Sequence, residues 1–146
     1  MARFALFAQL GSTLPLVGLI WFVQLVAYPL FARAAAGDPQ AFAAYHQEHS
    51  SRITVLVLPL MLAELLASAA WLWDRPAAVS TALAWGGFAL VVVCWLATGV
   101  LAVPRHEELA RGFHQQAHAA LVAGNWVRTV VWSVRGALLL WITSRA

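Results

Sequence analysis

Apolar residues run along this chain in four long blocks separated by short polar stretches. The blocks cover about 4–31, 53–73, 79–103 and 121–143. A helix needs roughly 20 apolar residues to cross a bilayer, and each block meets that length. The first block is about twice as long as a signal-peptide core of about 7–15 residues. The small-residue stretch 32–36 that follows it is therefore read as part of a retained helix rather than a cleavage site.

The breaks between blocks carry their own signals. Gly37-Asp38-Pro39 interrupts the first pattern, and Asp38 before Pro39 has the form of an N-cap with proline at the first helical position. A short helix through Phe42, Tyr45 and His46 is expected to lead into the second block. Pro59 lies inside that block, where membrane helices tolerate proline and where a kink is expected. Trp71-Leu72-Trp73-Asp74-Arg75-Pro76 reads as an end signal. Pro104 is expected to close the third block.

Four spans with short connections predict an all-α integral membrane protein. The expected architecture is a four-helix up-down antiparallel bundle, with residues 1–146 forming a single transmembrane domain. Alternating spans put both termini on one side. They put the first-to-second and third-to-fourth connections together on the other side, and those two connections hold all five histidines. Three arginines on the terminal side face three to five on the histidine side, which favours a cytoplasmic histidine side by a narrow count.

Composition strengthens the membrane reading. The chain is 62% hydrophobic and 10% charged, against roughly 25% charged residues in a soluble domain. One soluble core of 146 residues could not hide so much apolar surface. The localisation this implies is an integral membrane protein of a bacterial inner membrane. Nine arginines and six acids leave a net charge of +3, too sparse for a nucleic-acid surface. The one cysteine, Cys94, lies in an apolar stretch and reads as a small buried hydrophobe.

The few polar residues inside the blocks then become informative. At about 100° per residue, His114, His118, Asn125, Arg128, Trp132 and Arg135 share one sector about 100° wide on the last helix. An arginine facing lipid at mid-depth costs at least about 2.5–3.5 kcal/mol, so this stripe must face other helices or a wet cavity. Glu64 is the one acid inside any apolar block, and it lies on the same face as His46, roughly 27 Å further along its helix. Depth arithmetic at about 1.5 Å per residue puts Glu64 and Arg135 roughly 16 and 21 Å from the histidine side, and Arg128 nearer at about 10 Å. Glu64 is therefore expected to pair with Arg135, leaving Arg128 beside Asn125.

Two histidine pairs, His46 with His49 and His114 with His118, can in principle offer four imidazoles from facing helix ends. Such a set would suit a d-block metal (iron, copper or zinc) or haem, while His106 is expected to matter less. Arg128 and Asn125 are expected to orient a substrate oxygen, Tyr28 or Glu64 to move protons, and Trp126 and Trp132 to line a cofactor pocket. No Glu-x-x-His pattern supports a ferritin-like di-iron site. A solvated, interfacial role for the histidines and a plain Glu64–arginine ion pair remain the structural alternatives.

Three short stretches carry a resemblance. Tyr28-Pro29-Leu30-Phe31, Tyr45-His46-x-x-His49-x-x-Arg52 and Asn125-Trp126-x-Arg128-Thr129 resemble a group of bacterial four-span membrane proteins of unknown function. More distantly, the chain is similar to the anthrone-oxygenase-like membrane family, in which the asparagine-and-arginine motif of the last helix is the recognisable part. Asn125 and Arg128 fit that motif, and the histidine-rich connections depart from it. The resemblance implies a membrane oxidoreductase or oxygenase acting on a lipophilic aromatic or quinone-like substrate. Rival functions are a small ion or proton transporter or channel, with Glu64, Arg128 and Arg135 lining the path, and a non-catalytic membrane subunit. Partners on any of these readings are the lipid bilayer and a lipophilic small molecule, with self-association left open.

Overall fold

The computed structural model describes residues 1–145, without the side chains of 39 and 40. The protein is all-α, and the described residues contain no strand. Helix α1 (Ala2–Phe22) passes through a π-helical turn, Val23–Ala27, into α2 (Tyr28–Gly37). Helix α3 spans Pro39–Ala70. Helix α4 (Thr81–Ala97) passes through a second π turn, Thr98–Ala102, into α5 (Val103–Leu109), and α6 spans Gln115–Thr143. The chain thus forms four helical rods. Three of them, Ala2–Gly37, Ala41–Ala70 and Thr81–Leu109, are long and apolar enough to cross a membrane. The fourth, α6, carries Arg128 and Arg135 and is not among those three.

Local chemistry explains most boundaries. Asp38 alone separates α2 from α3, and its backbone is extended (φ −146°, ψ 111°). Its carbonyl accepts from the Phe42 N–H at 2.9 Å, which is the N-cap position the sequence signal predicts. Ser80 caps α4 by accepting from the Leu83 N–H at 3.2 Å. Gly112, in the turn before α6, has φ 145°, a conformation that side chains with a Cβ avoid.

Three boundaries differ from the sequence reading. The short helix and the second block are one continuous α3, which runs through Pro59. That helix stops at Ala70, three residues before the expected end. Trp71 then turns inward, and its indole N–H donates to the Ala2 carbonyl at 3.1 Å. Pro104 does not close the third rod, which continues to Leu109. The reason lies just before it. A proline lacks the N–H that would bond one turn back, and a π turn absorbs that misfit by widening the helix. Pro29 follows its own π turn in the same way.

Packing divides into three apolar layers. Phe31, Phe42, Leu109 and Leu121 form one at the histidine end. Leu16, Ile20, Met61, Cys94 and Trp132 form the middle layer. Leu6, Trp71, Val79 and Leu139 form the third. Close contact depends on small residues: a Cβ on Gly136 would come within 3.2 Å of Val17 Cγ2, so the bare glycine of α6 makes room for the Val17 side chain of α1.

Between the middle and third layers lies a wholly buried polar knot. Arg135 Nε donates to Glu64 Oε1 at 2.8 Å. Thr13 Oγ1 donates to the same oxygen at 2.6 Å, and Trp132 Nε1 donates to Oε2 at 3.0 Å. The guanidinium also donates to the Gly87 carbonyl at 2.7 Å, to Gln9 Oε1 at 2.8 Å and to Ser68 Oγ. All four rods contribute. The pairing of Glu64 with Arg135 follows the depth arithmetic.

Removing one member of such a pair strands the other charge, at about 3–5 kcal/mol. Glu64→Gln is expected to lower unfolding stability in detergent by about that amount. Adding Arg135→Gln should recover part of the loss in the same denaturant titration.

Candidate functional site

A second polar cluster sits nearer the histidine end, where both π turns lie. The first π turn carries Gln24 and leads into Tyr28, and the second begins at Thr98. Widened helical turns re-aim the side chains around them and recur at functional sites. Helix α6 brings Asn125 and Arg128 against them. Asn125 Nδ2 donates to Gln24 Oε1 at 2.7 Å, and its Oδ1 accepts from Arg128 Nη2 at 2.5 Å. Arg128 Nη2 also donates to the Tyr28 hydroxyl at 3.2 Å, and Nη1 reaches Thr98 Oγ1 at 3.5 Å.

The cluster continues as a row. Tyr28 Oη lies 3.1 Å from His106 Nε2, and His106 Nδ1 lies 3.1 Å from His46 Nε2. Arg128 can only donate, so the Tyr28 oxygen accepts from it. That oxygen keeps a second lone pair as well as its hydrogen, so the imidazole nitrogens of the row donate or accept according to their tautomers. His46 Nδ1 is buried and has no hydrogen-bond partner. The row is a continuous chain of hydrogen-bonding groups that links Tyr28 to His46.

A cleft of about 560 Å³ opens beside this row. Leu58 of α3 and Val103 of α5 stand on its lining and are both exposed, so it opens between those two rods. Its interior is mostly apolar, with Ile20, Val57 and Met61 among the lining residues. Its polar residues include Tyr28, Thr98, His106 and Arg128. The volume lies within the roughly 300–1,000 Å³ of small-molecule sites.

The structure sorts the residues picked from sequence. Tyr28, Asn125 and Arg128 come together, and Tyr28 and Arg128 line the cleft. Trp132 lines it too, but its indole N–H is spent on Glu64. Glu64 itself holds three donors and belongs to the structural knot. Trp126 does not line the pocket: it is 43% exposed and packs edge-on against Trp21. The helix turns that side chain to the opposite side from Arg128, because two residues on a helix are about 200° apart.

The four histidines chosen as metal or haem ligands do not form one ligand sphere. His46 Nε2 is engaged by His106. His118 Nε2 lies 2.8 Å from the Tyr28 carbonyl and donates to it. His49 packs edge-on to Phe31, and His114 is an exposed residue at the start of α6. Among the described residues, no group of three or more His, Cys, Asp or Glu is arranged to hold a metal ion. The residue that sequence spacing ranked lowest, His106, sits at the centre. Thr98, Ala102 and His106 recur every four residues, and this spacing was its available signal. Searches against family models, curated proteins and solved structures find no match to this chain.

Tyr28→Phe would remove the partner of His106 Nε2 and one of the acceptors of Arg128. The expected loss of stability is about 1–3 kcal/mol. In a double-mutant cycle, Tyr28→Phe and His106→Ala should couple by at least about 0.5 kcal/mol. Tyr28→Phe and Glu64→Gln share no partner and should add. Both cycles are read from unfolding midpoints in detergent.

Proposed function

We propose that this chain is a four-span, up-down antiparallel membrane bundle of a bacterial inner membrane that binds a lipophilic aromatic or quinone-like molecule in the cleft and acts on it as a small oxidoreductase of the oxygenase-like kind. The observation that carries this reading is the junction of an apolar cleft with a row of hydrogen-bonded Tyr28, His106 and His46. An apolar body fits between α3 and the α4–α5 rod, and an oxygen at its end meets Tyr28 and Arg128.

The topology is supported by the order of contacts. Gln9 lies against Ser68 and Arg135, whereas Tyr28 lies against His106, His118 and Arg128. That pattern suits helices of alternating direction. In such a bundle, the connections at Asp38 and Glu107 share one side of the membrane. Cysteines placed by Asp38→Cys and Glu107→Cys should both react with an impermeant thiol reagent from the same side. Reaction from opposite sides would overturn the topology. Cys94 is wholly buried and does not compete.

The chain's contribution to chemistry is to bind, orient and move a proton. Two-electron oxidation of a hydroquinone-like substrate releases two protons. Tyr28 passes one to His106 and is refilled from the substrate hydroxyl, the second leaves the substrate directly, and dioxygen takes up the two electrons with two protons, one from the substrate and one from the surroundings, and becomes hydrogen peroxide. The resemblance read from the Asn125 and Arg128 motif implies the same substrate class. The transporter reading is less favoured because the Glu64–Arg135 knot fills the interior beyond the cleft with mutually bonded groups.

Binding of 2-methyl-1,4-naphthoquinone is expected to quench tryptophan fluorescence saturably, since Trp95 and Trp132 line the cleft. Ala102→Phe fills the cleft and should abolish the quenching. Tyr28→Phe should retain binding and slow oxidation of the reduced quinone in air by about 10²-fold or more. Absence of saturable quenching in the unmodified protein would sink the reading of the cleft as a site for an uncharged quinone.

A further inference from the structure

We infer that the cleft's ligand is bound as an oxyanion: a negatively charged oxygen against Arg128, on an apolar body. This rests on the cleft being a binding site, and it adds the charge state of the bound oxygen once its proton has gone, to Tyr28 or before entry.

Two arginines lie seven residues apart on α6 and are treated differently. Arg135 has its counter-ion built in, in Glu64. Arg128 is 7% exposed and makes no ion pair among the described residues. Its partners Asn125, Tyr28 and Thr98 are neutral. A buried guanidinium with no opposite charge is costly, and more so in a membrane. An anion in the cleft would complete the charge that the fold leaves open.

An unspent donor points the same way. Arg128 Nε has no acceptor within the fold, so the guanidinium is not fully satisfied by its neighbours, and Arg128 lines the cleft. An oxyanion brings lone pairs and charge to the edge of that guanidinium, and charge-assisted hydrogen bonds are the stronger kind. A cationic head would meet only repulsion and an unmatched N–H group. A neutral carbonyl would satisfy the donor and leave the charge standing. Glu107 also borders the cleft, at its histidine end, and is exposed. An anion entering there would meet a carboxylate, whereas entry between α3 and the α4–α5 rod passes mostly apolar residues. The ligand is therefore an amphiphile arriving from the lipid side, either an ionised hydroxyquinone or a long-chain carboxylate.

Matched pairs of probes test this. With purified protein in uncharged detergent, 2-hydroxy-1,4-naphthoquinone, which is ionised at neutral pH, is compared with the similarly sized, uncharged 2-methyl-1,4-naphthoquinone. Dodecanoate is compared with dodecanamide by calorimetry. The charged member of at least one pair is expected to bind about tenfold or more tighter, and Arg128→Gln should bring that pair to within about twofold. The pair that shows the preference identifies the body, aromatic or aliphatic. If neither charged probe outbinds its neutral partner, or if the preference survives Arg128→Gln, the oxyanion inference fails and the cleft reading stands. Saturable binding of none of the four probes would overturn both. Should Arg128→Gln not fold, the comparison on the unmodified protein decides alone.

Discussion

The Glu64–Arg135 ion pair ties all four helical rods to one point. Every donor and acceptor around it comes from a different place in the chain: Gln9 and Thr13 from α1, Ser68 from α3, the Gly87 carbonyl from α4 and Trp132 from α6. Between apolar helices, packing alone discriminates weakly among registers, because one leucine face resembles another. A buried pair discriminates strongly, since a slip of one turn would strand two charges. Gly87 shows how closely the fold is drawn around it: a Cβ there would come within 3.2 Å of Arg135 Nη1. The pair is thus a register device as well as a link.

Fixing that register also fixes what lies two turns away. Arg128 stands seven residues before Arg135 on a continuous helix, about 10 Å along its axis. Once Arg135 is pinned, Arg128 has to emerge beside the two π turns. There it meets Asn125, Tyr28 and Thr98 rather than an acid. The same helix therefore carries one compensated charge that holds the structure and one uncompensated charge that faces a cleft. The histidine row begins at Arg128 in turn, because its donor holds the Tyr28 hydroxyl beside His106. Structure and candidate chemistry are coupled through seven residues of α6.

Both clusters were partly visible in the order of residues. Depth along the helices was enough to match Glu64 with Arg135, since each rise per residue is nearly constant and a buried charge needs a partner. The polar stripe on α6 was legible for the same reason, and so was the grouping of Asn125 with Arg128. Other members were present as one-turn spacings whose meaning depends on the neighbour. Gln9 with Thr13, and Glu64 with Ser68, are four residues apart and read as ordinary polar pairs until α6 is packed against them. Trp126 shows the opposite failure. Adjacency to the stripe in sequence suggested a pocket role, but rotation about the helix turned it outward.

The sequence by itself determined that this protein is helical, apolar beyond what a soluble core can absorb, and obliged to bury a polar stripe. Those conclusions rest on quantities local to each helix: its length, its period and the cost of an unpaired charge. The tertiary structure alone decided that His106 rather than the four expected histidines meets the Tyr28 hydroxyl, that the third rod continues past Pro104, and that a cleft opens at Arg128. Each of these depends on the rotation of one helix relative to another, and two π turns shift that rotation partway along the rods. A five-residue widening leaves little trace in hydrophobic periodicity, yet it re-aims every side chain beyond it.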